Sequence, residues 1–357
     1  MFSQISSKIS AIPTTLITGF LGVGKTTAIL QLLANKPNNE NWAVLVNEFG
    51  EIGIDSALLA GSSNEQGVFI REVPGGCMCC ASGVPMQVAL NQLITKAKPD
   101  RLLIEPTGLG HPKEVVEVLT KGKFQETISL QSILCLVDAR NLIDKRYTEH
   151  PSFVQQLNVA DTILAAKADT YSEQDEENLA LFITENELTD KPLHLMQHGN
   201  IAPSWLAQQP KTVIVTKPMI GIAVPSLHES SHTIELGYKK EREQSQALQT
   251  RLAQEGFIEL NNHGEGYFSK GWIFSDKYQF NYKQLFAFIT ALKVSRAKGV
   301  ILTEQGSYAF NKAGSDFSCN KVTDSKDSRI ELIDTDENVL NNLTSEQLLR
   351  LTKDFYS

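Results

Sequence analysis

Gly19-Phe20-Leu21-Gly22-Val23-Gly24-Lys25-Thr26 follows the β-rich run Thr14-Thr15-Leu16-Ile17-Thr18 and precedes a stretch in which Ala28, Ile29, Leu32 and Leu33 recur at helical spacing. The pattern is G-x-x-x-x-G-K-[ST], and strand, glycine loop, helix is the setting in which it cradles phosphates. Asn35 and Pro37 supply the helix stop. Glycines let such a loop curl with its N–H groups inward, and the helix N-terminus adds partial positive charge. Gly22, Val23, Gly24, Lys25, Thr26 and Thr27 are therefore expected to wrap a polyphosphate. Lys25 would reach the β- and γ-phosphates, and the Thr26 hydroxyl would bind Mg²⁺. The stretch predicts a nucleoside triphosphate site.

Outward from it, Ala11 to about Lys217 alternates aliphatic runs with helical ones, the signature of an α/β fold with a mostly parallel central sheet. Strands are expected at Trp42–Val46, Val68–Val73, Arg101–Glu105, Ser132–Asp138, Thr162–Ala166, Leu193–Met196 and Thr212–Val215. Pro85–Lys98 reads as a helix, and Ser172 with Asp175 as a capping box opening another. Pro218 to Gly237 reads as a linker, and Lys239–Gln254 as a charged helical insertion. A small α+β domain is expected beyond: strand Gly271–Phe274, helix Tyr282–Leu292, strand Arg296–Leu302, hairpin partner Tyr308–Asn311, strand Ile330–Ile333 and a last helix from Ser345. This divides the chain into 1–217, a linker with insertion over 218–265, and 266–357.

A length of 357 residues suits two domains, and 41% hydrophobic residues suffice for a sizeable core. A net charge of −8 argues against nucleic acid as partner. Met1 to Ser10 lack the apolar core of a signal peptide, and no window approaches the roughly 20 apolar residues of a membrane span. Five cysteines, three of them within four positions, do not form a secreted disulfide framework, so a cytosolic location is expected.

Three further constellations carry chemistry. Arg101-Leu102-Leu103-Ile104-Glu105-Pro106-Thr107-Gly108 ends an aliphatic strand in a carboxylate followed by x-x-Gly. Glu105 is expected to act on Mg²⁺ and the Gly108 N–H to sense the γ-phosphate. Asp138, at the end of Ile133–Val137, is the rival carboxylate; Gly108 favours Glu105. Ala166-Lys167-Ala168-Asp169 resembles the N/T-K-x-D guanine motif with Ala in place of the bracing Asn. Asp169 would accept two hydrogen bonds from guanine, and the Lys167 stem would pack over the base, favouring GTP over ATP. Pro74-Gly75-Gly76-Cys77-Met78-Cys79-Cys80 places three soft thiolates together. They suit Zn²⁺ at about 2.3 Å, with Cu(I), Co²⁺ or Fe²⁺ as alternatives. Buried small cysteines or a redox pair is the competing reading. Cys135 reads as core and Cys319 has no evident partner; His228 and His232 read as solvated linker residues, and His111 as a residue able to approach the metal.

These signals, in this order, resemble the CobW-type metallochaperone GTPases, relatives of the UreG and HypB nickel-insertion GTPases. Gly19–Thr27, Asn47-Glu48-Phe49-Gly50-Glu51, Gly75–Cys80 and Glu105–Gly108 carry the resemblance, with Gly271-Trp272-Ile273-Phe274 and Arg296-Ala297-Lys298-Gly299 for the small C-terminal domain. The resemblance implies a dimerising GTPase that hands zinc, or sometimes cobalt or iron, to a client metalloprotein. It also maps a nucleotide-responsive switch onto Asn47–Asp55, where Asp55, or alternatively Glu48, would position the attacking water. A plain acidic loop is the bland reading of both. The His-rich tail common in the family is absent. A P-loop ATPase or kinase with a structural or regulatory zinc site is the alternative class.

Overall fold

The computed structural model describes residues 11–46, 67–73, 84–110, 112–121, 124–207, 246–264, 266–314, 316–322 and 325–353. Thr212–Val215, the linker and the first part of the charged insertion lie outside them. Seven strands form a fully parallel sheet: β1 (Ile12–Gly19), β2 (Trp42–Val46), β3 (Val68–Glu72), β4 (Arg101–Glu105), β5 (Ile128–Val137), β6 (Thr162–Ala166) and β7 (Leu193–Met196). Their order is β3-β2-β4-β1-β5-β6-β7. Helices cover both faces, as parallel sheets require. One face packs Met86, Leu90 and Leu93 of the helix Val84–Ala97 on Leu16, Leu45 and Ile104. The other packs Ile29, Leu32 and Leu33 of the helix Lys25–Ala34 on Ile17, Val44 and Leu134. The Ser172–Asp175 capping box is present at the helix Glu173–Glu185. β5 begins at Ile128, ahead of the expected Ser132; its partly buried residues Ser129, Leu130 and Gln131 interrupt any continuous aliphatic run there.

The second sheet is antiparallel, with six strands in the order β12-β11-β10-β13-β9-β8. These are β8 (Phe257–Gly264), β9 (Tyr267–Ser275), β10 (Arg296–Thr303), β11 (Gly306–Ala313), β12 (Asp316–Lys321) and β13 (Asp327–Asp334). One face packs Trp272, Phe274, Ile301 and Phe310 under Leu285 and Ile289 of the helix Tyr282–Ala291 and Leu348 of the helix Ser345–Leu349. Part of the other is covered by Leu248 and Leu252 of helical residues 246–255. β8 and β12 were not expected: β8 falls in the stretch read as linker and insertion, and β12 in a polar run. Both are edge strands, and their mixed burial explains why no clean period-2 apolar signal marks them. No helix among the described residues is long and apolar enough to cross a membrane.

Phe20, inside the glycine loop, anchors that loop in an aromatic cluster. Its ring lies 4.8 Å from Tyr147, 4.9 Å from His150 and 6.2 Å from Phe153. From the second sheet, Tyr267 joins at 6.3 Å. Phe153 is fully buried. Replacing it by alanine should cost about 3–5 kcal/mol of stability, measured by urea unfolding, because the cavity cannot collapse between the rings and the sheet.

Candidate functional site

β1 delivers Gly19 to the carboxyl edge of the parallel sheet, where the loop turns back over its own strand. Gly22 (φ +73°) and Gly24 (φ +105°) take left-handed conformations that side-chain-bearing residues avoid. Lys25 is buried, and its Nζ donates to the carbonyls of Gly19 (2.8 Å) and Phe20 (3.2 Å). Thr26 Oγ1 donates to Glu105 Oε1 at 3.2 Å, joining the loop to the end of β4. Gly108 sits directly on the loop: a Cβ there would meet the Leu21 backbone nitrogen at 2.8 Å. The Gln156 amide secures the Gly108 carbonyl at 2.9 Å. Gly22, Val23, Gly24, Lys25, Thr26, Glu105 and Gly108 are thus brought together, as their spacing predicts.

Asp138 has a different employment. It is almost fully buried, and it accepts from Arg140 at 2.9 Å on Oδ1 and 2.7 Å on Oδ2. Lys167 Nζ lies 3.2 Å from the same carboxylate. Across the boundary between the sheets, Asp316 of β12 completes the cluster. It takes Arg140 Nη2 at 2.6 Å, Arg140 Nη1 at 3.2 Å and Lys167 Nζ at 2.9 Å. Hydrogen bonding from Arg140 first, and from Lys167, holds the Asp316 carboxyl at about 2, below its ordinary 3.8. The two aspartates hold the Arg140 guanidinium well above its ordinary range.

Lys167 takes a positive φ of 60°, and Asp169 faces His198, whose N–H donates to Oδ1 at 3.1 Å. The Tyr171 hydroxyl lies 2.6 Å from the Ala166 carbonyl and accepts the Ala139 N–H at 2.9 Å. It ties the ends of β5 and β6 beside the position where the guanine motif carries a bracing Asn. Burial pushes the Tyr171 hydroxyl pKa well above its ordinary value. Cys135 is core as expected, its thiol pushed up to about 12 by burial.

A glycine loop closing on a helix N-terminus at the carboxyl edge of a parallel sheet, with a strand-end carboxylate on its Thr, defines a P-loop nucleotide-binding protein. The family model "CobW/HypB/UreG, nucleotide-binding domain" matches residues 13–188. The zinc chaperone YeiR of Escherichia coli is 41% identical over 340 residues, spanning 95% of this chain and 98% of that one. The zinc-regulated GTPase metalloprotein activator 1 of Schizosaccharomyces pombe is 28% identical over 174 residues, covering 47% of this chain and 42% of that one. Among solved structures, Zn(II)-bound YjiA GTPase from Escherichia coli aligns over 94% of this chain and 100% of that one, with 18% identity and a TM-score of 0.42. The chain belongs to the CobW-type metallochaperone GTPase family.

Glu48, Asp55, Cys77, Cys79, Cys80, His111, His228 and His232 lie outside the described residues. Among the described residues no group of three His, Cys, Asp or Glu is placed to hold a metal. Sequence reasoning missed Arg140, Tyr171 and Asp316. Tyr171, close after the guanine-like motif, was within reach of local reading, whereas Asp316 depends on a pairing 176 residues away.

The Asp316 pairs should show in the acid limb of stability. Its pKa is depressed in the folded protein, so its contribution is complete above the unfolded value and disappears as pH falls through about 2. The difference in melting temperature between wild type and Asp316→Asn should be constant above about pH 5 and should close toward pH 2.

Proposed function

We propose that the chain is a GTP-hydrolysing zinc metallochaperone whose nucleotide state controls metal held by Cys77, Cys79 and Cys80. The observation that carries this reading is the contact of Thr26 with Glu105 at 3.2 Å. It supports the reading because two adjacent hard oxygen donors suit the Mg²⁺ that accompanies a P-loop nucleotide. Thr26 and Glu105 would hold that ion, which supplies charge neutralisation across the β- and γ-phosphates. Membership in a family that includes a zinc chaperone 41% identical to this chain supports the cargo assignment. Three thiolates suit Zn²⁺ and leave a coordination position for exchange.

In this reading Lys25 moves its ammonium from the loop carbonyls to the phosphates when nucleotide enters. Gly108, lying against Leu21, reports the γ-phosphate, and Asn47–Asp55 orders around it, with Asp55 or Glu48 orienting water. Asp169 reads the guanine edge, and Lys167 covers the base. That switch segment connects β2 to β3, and β3 leads into the cysteines, so ordering at one end can alter metal affinity at the other. The recipient is a client metalloprotein, and the working unit is the homodimer that the family resemblance implies. Ala166 in the guanine motif favours the rival ATPase reading; the Tyr171 brace restores the support that a bracing Asn would give.

Lys25→Ala should lose at least about a hundredfold in GTP hydrolysis with an unchanged circular dichroism spectrum, because its work is transition-state charge stabilisation. Near-normal turnover by that variant would remove the catalytic site from the P-loop.

The decisive measurement is calorimetric titration, under anaerobic conditions, of Zn²⁺ into GTP-, GDP- and nucleotide-free protein, and of each nucleotide into zinc-loaded and zinc-free protein. Zinc affinity should differ by about 5–150-fold between nucleotide states, and zinc should change GTP affinity by the same factor. Substituting Cys77, Cys79 and Cys80 together by serine should abolish the linkage while nucleotide still binds. Equal zinc affinity in all three states would refute nucleotide control.

A further inference from the structure

The second sheet turns a polar face toward the P-loop. In the ladder of β10, Arg296 stands opposite Ala313 of β11, and Lys298 opposite Asn311. β11 in turn sets Ala313 opposite Asp316, Asn311 opposite Ser318 and Ala309 opposite Asn320 of β12. Directly paired residues share a side and alternate residues of a strand share a face. Arg296, Lys298, Asn311, Ser318 and Asn320 therefore form one surface, while Trp272 and Phe310 fill the other side with the helices. That surface lines a cleft whose opposite wall is Gly22, Gly24, Lys25, Thr26, Thr27 and Glu105. The approach is close: a Cβ on Gly22 would come within 2.9 Å of the Ala313 side chain, the cross-strand neighbour of Arg296.

The two cations on this face are in different situations. Lys298 is 2% exposed and faces Glu331, itself 1% exposed, at 3.3 Å. Arg296 is half-buried, and its Nε reaches Asn311 Oδ1 only at 3.5 Å. It stands where the phosphate cleft meets an adjoining cavity of 480 Å³, which it lines together with Gly22, Asp138 and Lys167. A guanidinium presents a planar fork of N–H donors that matches phosphate oxygens bidentately. Set beside the Mg²⁺-side residues Thr26 and Glu105, it would add positive charge where the leaving diphosphate gains negative charge.

We propose that Arg296 is a ligand of the γ-phosphate, supplied to the P-loop by the second sheet of the same chain. The proposal rests on the nucleotide site assigned above and adds a donor from outside the P-loop fold. Its function is to make the nucleotide site complete only when the two sheets are in register, so that β10 and β11 report on the triphosphate as the switch segment does.

The test uses full-length Arg296→Ala, Arg296→Gln and Arg296→Lys with fluorescent GTP and GDP analogues, GTP turnover, and formation of the GDP–aluminium fluoride complex that mimics the transferring phosphoryl group. Melting temperature and circular dichroism select the variants that are folded. Arg296→Ala and Arg296→Gln should lose about tenfold in GTP affinity while GDP affinity stays within about twofold, and turnover should fall at least about a hundredfold. The aluminium fluoride complex should form in wild type and fail in both; Arg296→Lys should recover part of the affinity without the complex. Unchanged GTP affinity and turnover overturn the proposal. Equal losses for GTP and GDP also overturn it, since they mark a structural role. A wild-type protein that binds neither nucleotide fails earlier, at the nucleotide site itself.

Discussion

Burial of β1 between β4 and β5 is the constraint on which the site depends. Leu16 pairs in register with Ile104 on one side and Ile133 on the other, and Gly19 reaches Leu136 of β5. Parallel strands end on one edge, so these two ladders align the P-loop with Glu105 and Asp138 whatever the loops themselves prefer. The chain moves from β1 outward to β2 and β3, returns to β4 and then crosses to β5. The reversal falls beside β1, and in open α/β sheets the ligand crevice opens at that point. Thr14 and Thr15 are fully buried within β1, and their hydroxyls donate to the carbonyls of Ile12 and Leu206.

What was legible in the sequence follows from range. The P-loop, the Glu105 turn and the Ser172 capping box are local patterns, and each is found where its spacing put it. The inner strands β2, β4 and β6 are short aliphatic runs buried along most of their length, and they were found to the residue. β8 and β12 escaped because an edge strand is held by one ladder and carries few apolar residues; Asn261, Asn262 and His263 give no strand signal, nor do Ser318 and Asn320. The choice between Glu105 and Asp138 illustrates the same limit. Each is a carboxylate at the head of an apolar strand. Gly108 favours Glu105 already in the sequence, and Glu105 meets Thr26; only tertiary structure gives Asp138 to Arg140 and Lys167.

The charges at the junction of the sheets matter more for placement than for net stability. Asp138 is almost wholly out of water, and desolvation offsets much of the attraction it gains from two cations. Removing one member would strand the others, which makes the arrangement sensitive to position. The Arg140 guanidinium fixes the orientation of two carboxylates from different sheets at 2.7 and 2.6 Å. Geometry of that kind sets how β12 lies over the nucleotide edge more sharply than apolar contact, which tolerates sliding. The Lys298–Glu331 pair sits in the same polar face and is buried as deeply.

Tyr267 stands at the start of β9 yet packs edge-on against Phe20 of the glycine loop and lies 6.0 Å from His150. A ring from one sheet is therefore part of the support beneath the loop of the other. The gene segment encoding the first seven strands is not a detachable cassette: cut there, Phe20 would lose one wall of its pocket, and Arg140 and Lys167 would lose Asp316. The fold binds its P-loop half and its second-sheet half into a single unit of inheritance, in which change on the face of one must be matched on the other.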